Sequence, residues 1–219
     1  MSKRNGGDTM PNWCFTDVYI RSDKKNLEKL NKALNEALTK PDTSDFGERW
    51  LGNILLYLGY DQEDISNCKT VRARGKIEDI CDTDDDILNI SVLSANVPHI
   101  LPIKLLANKI IGEDDYKLTY TANEPDGELY WTNDPDIYQK EVYIDSYNTH
   151  LLPDEIKFLE STPDGSRLAV LKKLGEYFNL SDPDIDTIND ELDELCENSD
   201  EDIFVRIHEY EFVRLKELE

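Results

Sequence analysis

The chain has 219 residues, with 47 Asp and Glu against 24 Lys and Arg, a formal net charge of −23. Its 39% hydrophobic and 9% aromatic content suffices for a packed core, which argues against wholesale disorder. The charge argues against direct binding to DNA, RNA or an anionic membrane, which need a basic face. It leaves a solubilising surface, attraction to a basic partner, or mimicry of a polyanion.

Residues 1–10 read as a flexible leader, polar and without the apolar stretch of a signal peptide. Trp13 to Ser22 alternates, with Trp13, Phe15 and Tyr19 on one face and Cys14, Val18 and Ile20 on the other. This predicts a strand, buried on both sides near its start. Asp23 is placed to cap a helix over Lys25–Thr39, whose Leu27, Leu30, Leu34 and Leu38 recur at helical spacing until Pro41. Trp50–Tyr60 is apolar on nearly every side and predicts a short buried helix stopped by Gly59. Strands follow over Thr70–Ile80 and Ile87–Leu93, with an acidic turn at Asp82–Asp86. The turn lacks the Gly and distal Glu of a calcium loop and reads as a solvated hairpin. A helix is expected over Leu101–Ile111, with Pro102 in its first turn and Gly112 at its end. Three strands are then predicted at Tyr116–Ala122, Glu128–Trp131 and Glu141–Asp145, joined by turns at Pro125-Asp126-Gly127 and Asn133-Asp134-Pro135.

Beyond Asp145 the character changes. Pro153–Glu160 and Asp164–Asn179 read as helical, the latter with Leu168, Leu171, Leu174 and Phe178 facing inward. Ser181–Asp202 holds eleven Asp and Glu and no Lys or Arg, yet Ile185, Ile188, Leu192 and Leu195 keep an apolar stripe. That pattern predicts a packed helix with an acidic outer face. Ile203–Val213 favours a strand, with a helix as the alternative.

Several blocks coincide with a known group. Pro11-Asn12-Trp13-Cys14, Trp50-Leu51-Gly52-Asn53, Arg74-Gly75, and Glu124-Pro125-Asp126-Gly127 with Tyr130 and Thr132-Asn133-Asp134 occur in the same order as signatures of one family. The chain resembles phage-, plasmid- and prophage-encoded proteins with a YubB-type ferredoxin-like domain of unknown function. The resemblance covers roughly residues 10 to 147 and implies a mobile-element origin and a ferredoxin-like fold. It implies no reaction. The expected fold is therefore α+β, a ferredoxin-like antiparallel sheet with packed helices over 11–147, plus an acidic, mainly helical C-terminal extension over 148–219.

No catalytic motif is present: there is no Gly-x-Ser-x-Gly, no triad context for His99, His150 or His208, and no phosphate-cradling Gly loop. The four cysteines, Cys14, Cys68, Cys81 and Cys196, are dispersed, which suits neither a disulfide scaffold nor a zinc site. No cofactor or metal is expected. With no apolar stretch of roughly 18 residues, no membrane span is expected either, and the cytoplasm of a host cell is the expected location.

Two readings of function remain. In the first, acidic residues Asp186, Asp190, Glu191, Asp193, Glu194, Glu197, Asp200 and Glu201 bind a basic host protein, a nuclease or CRISPR effector. Carboxylates three or four apart on a helix stand about 5–6 Å from each other, and B-DNA carries one charge per roughly 1.7 Å of axis. A row of them would serve as a phage-type decoy. In the second, Asn53, Arg74, Glu124, Thr132, Asn133 and Asp134 form a small-molecule or catalytic pocket. Against it stands the turn chemistry of Asn-Asp-Pro and Glu-Pro-Asp-Gly. Trp13 and Trp50 are expected in the core. Residues Ser181–Glu219 carry 15 acidic and 3 basic residues, a net −12, so half of the charge lies beyond the family-like region.

Overall fold

The computed structural model describes residues 12–39, 47–67, 72–84, 86–124, 128–160, 164–199 and 202–218. The expected leader, the Pro125-Asp126-Gly127 turn, Cys68, and Asp200 and Glu201 lie outside these residues. The protein is α+β, with mostly antiparallel strands and seven α-helices among the described residues. It divides into two compact units, Met1–Leu129 with Leu215–Glu219, and Tyr130–Arg214.

In the first unit, β1 (Trp13–Arg21) runs antiparallel between β3 (Ile87–Ala95) and β4 (Lys117–Glu124). Strand β2 (Gly75–Asp84) pairs antiparallel with the far side of β3. The order is thus β2-β3-β1-β4. Strict alternation puts Cys14, Thr16, Val18 and Ile20 of β1 on one face, beside Leu88, Ile90 and Val92 of β3 and Leu118, Tyr120 and Ala122 of β4. The helices supply the other half of this core. In α1 (Lys24–Thr39), Leu27, Leu30, Leu34 and Leu38 are buried, and the Asp23 carboxylate caps the helix by accepting from the Asn26 N–H at 2.9 Å. Helix α2 (Leu51–Leu58) buries Leu51, Ile54 and Leu55 and ends at Gly59 in the left-handed conformation. A one-turn α3 (Gln62–Ser66), which the periodicity did not announce, follows. Helix α4 (Leu101–Ile110) buries Ile103, Leu106 and Ala107, and α1, α2 and α4 pack on one another.

Three expectations fail here. Strand β1 is buried on one side only, because Trp13 and Phe15 are 45% and 53% exposed. Trp13 is therefore no core residue, whereas Trp50 is buried. The acidic turn after β2 is shorter than Asp82–Asp86, since Asp82 and Asp84 still pair with Leu88 and Ile87.

The second unit has its own sheet, ordered β7-β6-β8 and antiparallel throughout. It comprises β6 (Glu141–Tyr147), β7 (Asp164–Ser166) and β8 (Phe204–Glu209). Its core joins Val142 and Ile144 to Val205 and Ile207, to Val170 and Leu174 of α6 (Arg167–Phe178), and to Ile188 and Leu192 of α7 (Ile185–Glu197). A shorter pair, β5 (Leu129–Thr132) and β9 (Glu211–Phe212), runs parallel, and α5 (Pro135–Lys140) lies between β5 and β6 in the chain.

The expected boundary after residue 147 differs from this division because β6 hydrogen-bonds to β7 and β8, which commits it to the second core. Residues 148–214 accordingly contribute strands as well as helices to that core. In place of a helix over Pro153–Glu160 there are 3-10 turns at Thr149–Leu151 and Lys157–Glu160. Helix α6 begins at Arg167 rather than Asp164. It buries Val170, Leu174 and Gly175, and Leu171 and Phe178 pack against the same core as expected, while Leu168, expected inside, is 79% exposed. Ile203–Val213 takes the strand alternative, as β8 and β9.

Candidate functional site

The acidic face is built on α7. Ile185, Ile188, Asn189 and Leu192, spaced at i, i+3, i+4 and i+7, form its buried stripe. Asp184 starts the helix by accepting from the Thr187 N–H at 2.8 Å, and the hydrogen bonds from Thr187 hold its carboxyl below the usual range. Asn198 closes it, donating to the Glu194 carbonyl at 2.8 Å. This register turns Asp186, Asp190, Glu194 and Glu197 fully outward, with Glu191 and Asp193 half-buried at the flanks. At 1.5 Å rise per residue the outward row extends about 16 Å. Among the described residues none of these six acids pairs with a Lys or Arg. Ion pairs elsewhere in the unit include Lys140–Asp136, Lys157–Asp154 and Arg167–Glu209. Asp186 suits the positive end of the helix dipole, but Glu194 and Glu197 occupy the last turn, which has no basic residue. The face is thus retained against both dipole and mutual repulsion.

The residues expected to form a pocket have different fates. Asp134 is the N-cap of α5 and accepts from the Asp136 N–H at 2.9 Å, while the Thr132 hydroxyl accepts from the Asp134 N–H at 3.0 Å. For Asp134 the turn reading holds. Asn133 is half-buried beside it, in the second unit. Asn53, on α2, donates to the Gly47 carbonyl at 3.4 Å.

Glu124 ends β4 on the helix-covered face, buried, with no hydrogen-bond partner for its Oε1 among the described atoms. The β1–β4 register sets it beside Cys14. Burial pushes the Cys14 thiol up to about 11, with hydrogen bonds from Thr16 and Ser94 opposing and the charge of Glu124 adding to the rise. A protonated, buried thiol is no nucleophile.

Arg74 instead lines an open cleft of about 440 Å³ at the end of the first unit's sheet. Trp13, Trp50, Ile65, Ala73 and Ala95 form its apolar wall, and Glu48, Ser66 and Lys76 its polar margin; Asn53 and Glu124 are not among these lining residues. Two glycines shape it. A Cβ on Gly52 would run into the Trp50 indole, and one on Gly75 would lie 2.6 Å from the Leu93 carbonyl oxygen. The segment before α2 is stapled to β2: the Ile77 N–H donates to the Arg49 carbonyl at 2.9 Å and Arg49 Nε donates to the Ile77 carbonyl at 2.7 Å. Arg49 takes φ 62, a strained value for a side-chain-bearing residue. Behind the cleft, His99 is buried against the Ala95 carbonyl at 3.2 Å. Sequence reasoning placed Trp13 and Trp50 in the core and so missed this cleft. The sequence feature that could have marked it is Arg72-Ala73-Arg74-Gly75-Lys76, three alternate cations in an acid-rich chain.

Among the described residues, Cys14, Cys81 and Cys196 form no disulfide, no group of three or more His, Cys, Asp or Glu is arranged to hold a metal, and no helix is long and apolar enough to cross a membrane. Comparison with protein-family models, with curated proteins and with solved structures finds no match to the chain.

Proposed function

We propose that the protein is a non-enzymatic, phage-type inhibitor or decoy acting in the host cytoplasm. Its α7 face takes the place of a polyanion in the basic groove of a nucleic-acid-handling defence protein, such as a CRISPR or restriction component. One observation carries the reading: Asp186, Asp190, Glu194 and Glu197 stand exposed in a row without cationic partners among the described residues, on a helix anchored through Ile188, Asn189 and Leu192. Such a row attracts a basic groove at long range and loses that attraction in salt. The β2-β3-β1-β4 order, with helices between β1 and β2 and between β3 and β4, supports a ferredoxin-like reading of the first unit.

The test replaces Asp186, Asp190, Glu194 and Glu197 together by Lys. Cleavage of target DNA by host restriction and CRISPR nucleases is then followed from about 50 to 200 mM salt. The native protein should protect the DNA at low salt and less so at high salt, and the variant, unchanged in circular dichroism, should not protect. Equal protection by the variant, or none by the native protein, rejects the reading.

A further inference from the structure

The cleft lined by Trp13, Trp50 and Arg74 is a second feature, independent of the acidic face. We propose that it is a binding site for a small planar anion, a ring system bearing a carboxylate or a phosphate. The ring would lie against the two indoles and the anionic group on Arg74.

Four observations converge on it. The volume, about 440 Å³, lies in the ordinary range of small-molecule sites. The wall offers flat apolar surface: Trp13 stands 45% exposed, an unusual state for an indole in a central strand, and Trp50 is held by its contact over Gly52. Cations gather at the rim. In a chain of net −23, Arg74 and Lys76 line the cleft against a single acid, Glu48, and residues 72–76 hold no acid. Lys76 is shared with Glu78 at 2.6 Å, whereas the Arg74 guanidinium has no ion pair among the described residues. A guanidinium presents a planar fork that matches carboxylate and phosphate oxygens two at a time. One side of the rim, finally, is tied to the sheet, through the Arg49–Ile77 staple, the bridge between Trp50 and Lys76, and the close approach of Gly75 to β3. The protein's overall charge repels a nucleic-acid polymer, which leaves a small mono- or dianion as the occupant.

Calorimetric titration of the full chain with 1-naphthyl phosphate, 1-naphthoate and neutral 1-naphthamide tests this. At least one of the two anions should bind at one site per chain, about tenfold more tightly than the amide, and the tighter of the two identifies the anionic group. Arg74→Gln should reduce the anions to the level of the amide, and Trp13→Ala should weaken all three. Both side chains are exposed, so their thermal transitions should match the native one. The α7 charge-reversal variant should bind as the native protein does, which separates this site from the decoy function. Absence of saturable binding by either anion, equal binding of the amide, or native affinity in both Arg74→Gln and Trp13→Ala overturns the proposal.

Discussion

The carboxamide of Asn189 pairs with the backbone of Ile207 at two points. Its Nδ2 donates to the Ile207 carbonyl at 2.8 Å and its Oδ1 accepts from the Ile207 N–H at 2.9 Å. Because β8 is an edge of its sheet, the side chain stands in for the missing neighbouring strand and fastens α7 to that edge. Asn189→Leu keeps the volume but leaves two buried backbone groups unpaired, and should destabilise the second unit by about 2–3 kcal/mol in urea unfolding. An unchanged midpoint would show that water can replace the amide.

The acidic row should cost stability even as it recruits a partner. Asp190 and Glu194 are one turn apart, a like-charged i,i+4 pair. Neutralising both, as Asp190→Asn with Glu194→Gln, should stabilise the protein by about 0.2–0.5 kcal/mol at low ionic strength. The gain should disappear at roughly 1 M salt, where screening acts over about 3 Å. A gain that persists there would locate the effect outside electrostatics.

His99 predicts a pH dependence. Burial holds its pKa below 6.5; the hydrogen bond to the Ala95 backbone opposes that shift, and the charges of Arg72 and Arg74 add to it. The folded state thus favours neutral imidazole, while the unfolded chain takes up a proton near 6.5. The resulting stabilisation is complete above that pH and is lost as pH falls toward the folded value. Stability of the native protein relative to His99→Gln should therefore shrink between about pH 7.5 and pH 5. A difference that stays constant across that window would contradict the assignment.

Thiol chemistry offers a check on the first core. Cys14 is fully buried with its thiol raised to about 11, whereas Cys81 is exposed on β2. Iodoacetamide at about pH 8 should label Cys81 in the native protein and Cys14 only after unfolding, read by peptide mass spectrometry. Labelling of Cys14 at the rate of Cys81 would mean that the end of the β1 strand opens readily.

Much of the local structure was written in spacing. The stripe of Ile185, Ile188 and Leu192, spaced by three and then four residues, identified α7 and, by complement, its acidic face. The alternation of Cys14, Val18 and Ile20 identified β1, and Asp23 and Gly59 marked helix ends where the backbone needs a side-chain acceptor or a left-handed residue. The candidate cleft was not legible in the same way. Arg74 was singled out, but Trp13 and Trp50, sequence neighbours of apolar residues, carried no mark of lining a cavity.

What the chain determined alone is periodicity, and periodicity assigns residues to faces: Cys14 opposite Trp13, Leu192 opposite Asp190. Which face is covered is a non-local matter, settled by what packs there. Trp13 and Phe15 stay exposed on the side of β1 opposite the buried Cys14 and Thr16, and Leu168 of α6 points away from the core that Val170 and Leu174 enter. The division between Leu129 and Tyr130 was likewise decided by hydrogen bonds from β6 to two strands later in the chain. Such pairings depend on backbone groups that every residue carries, so composition and spacing leave them unmarked.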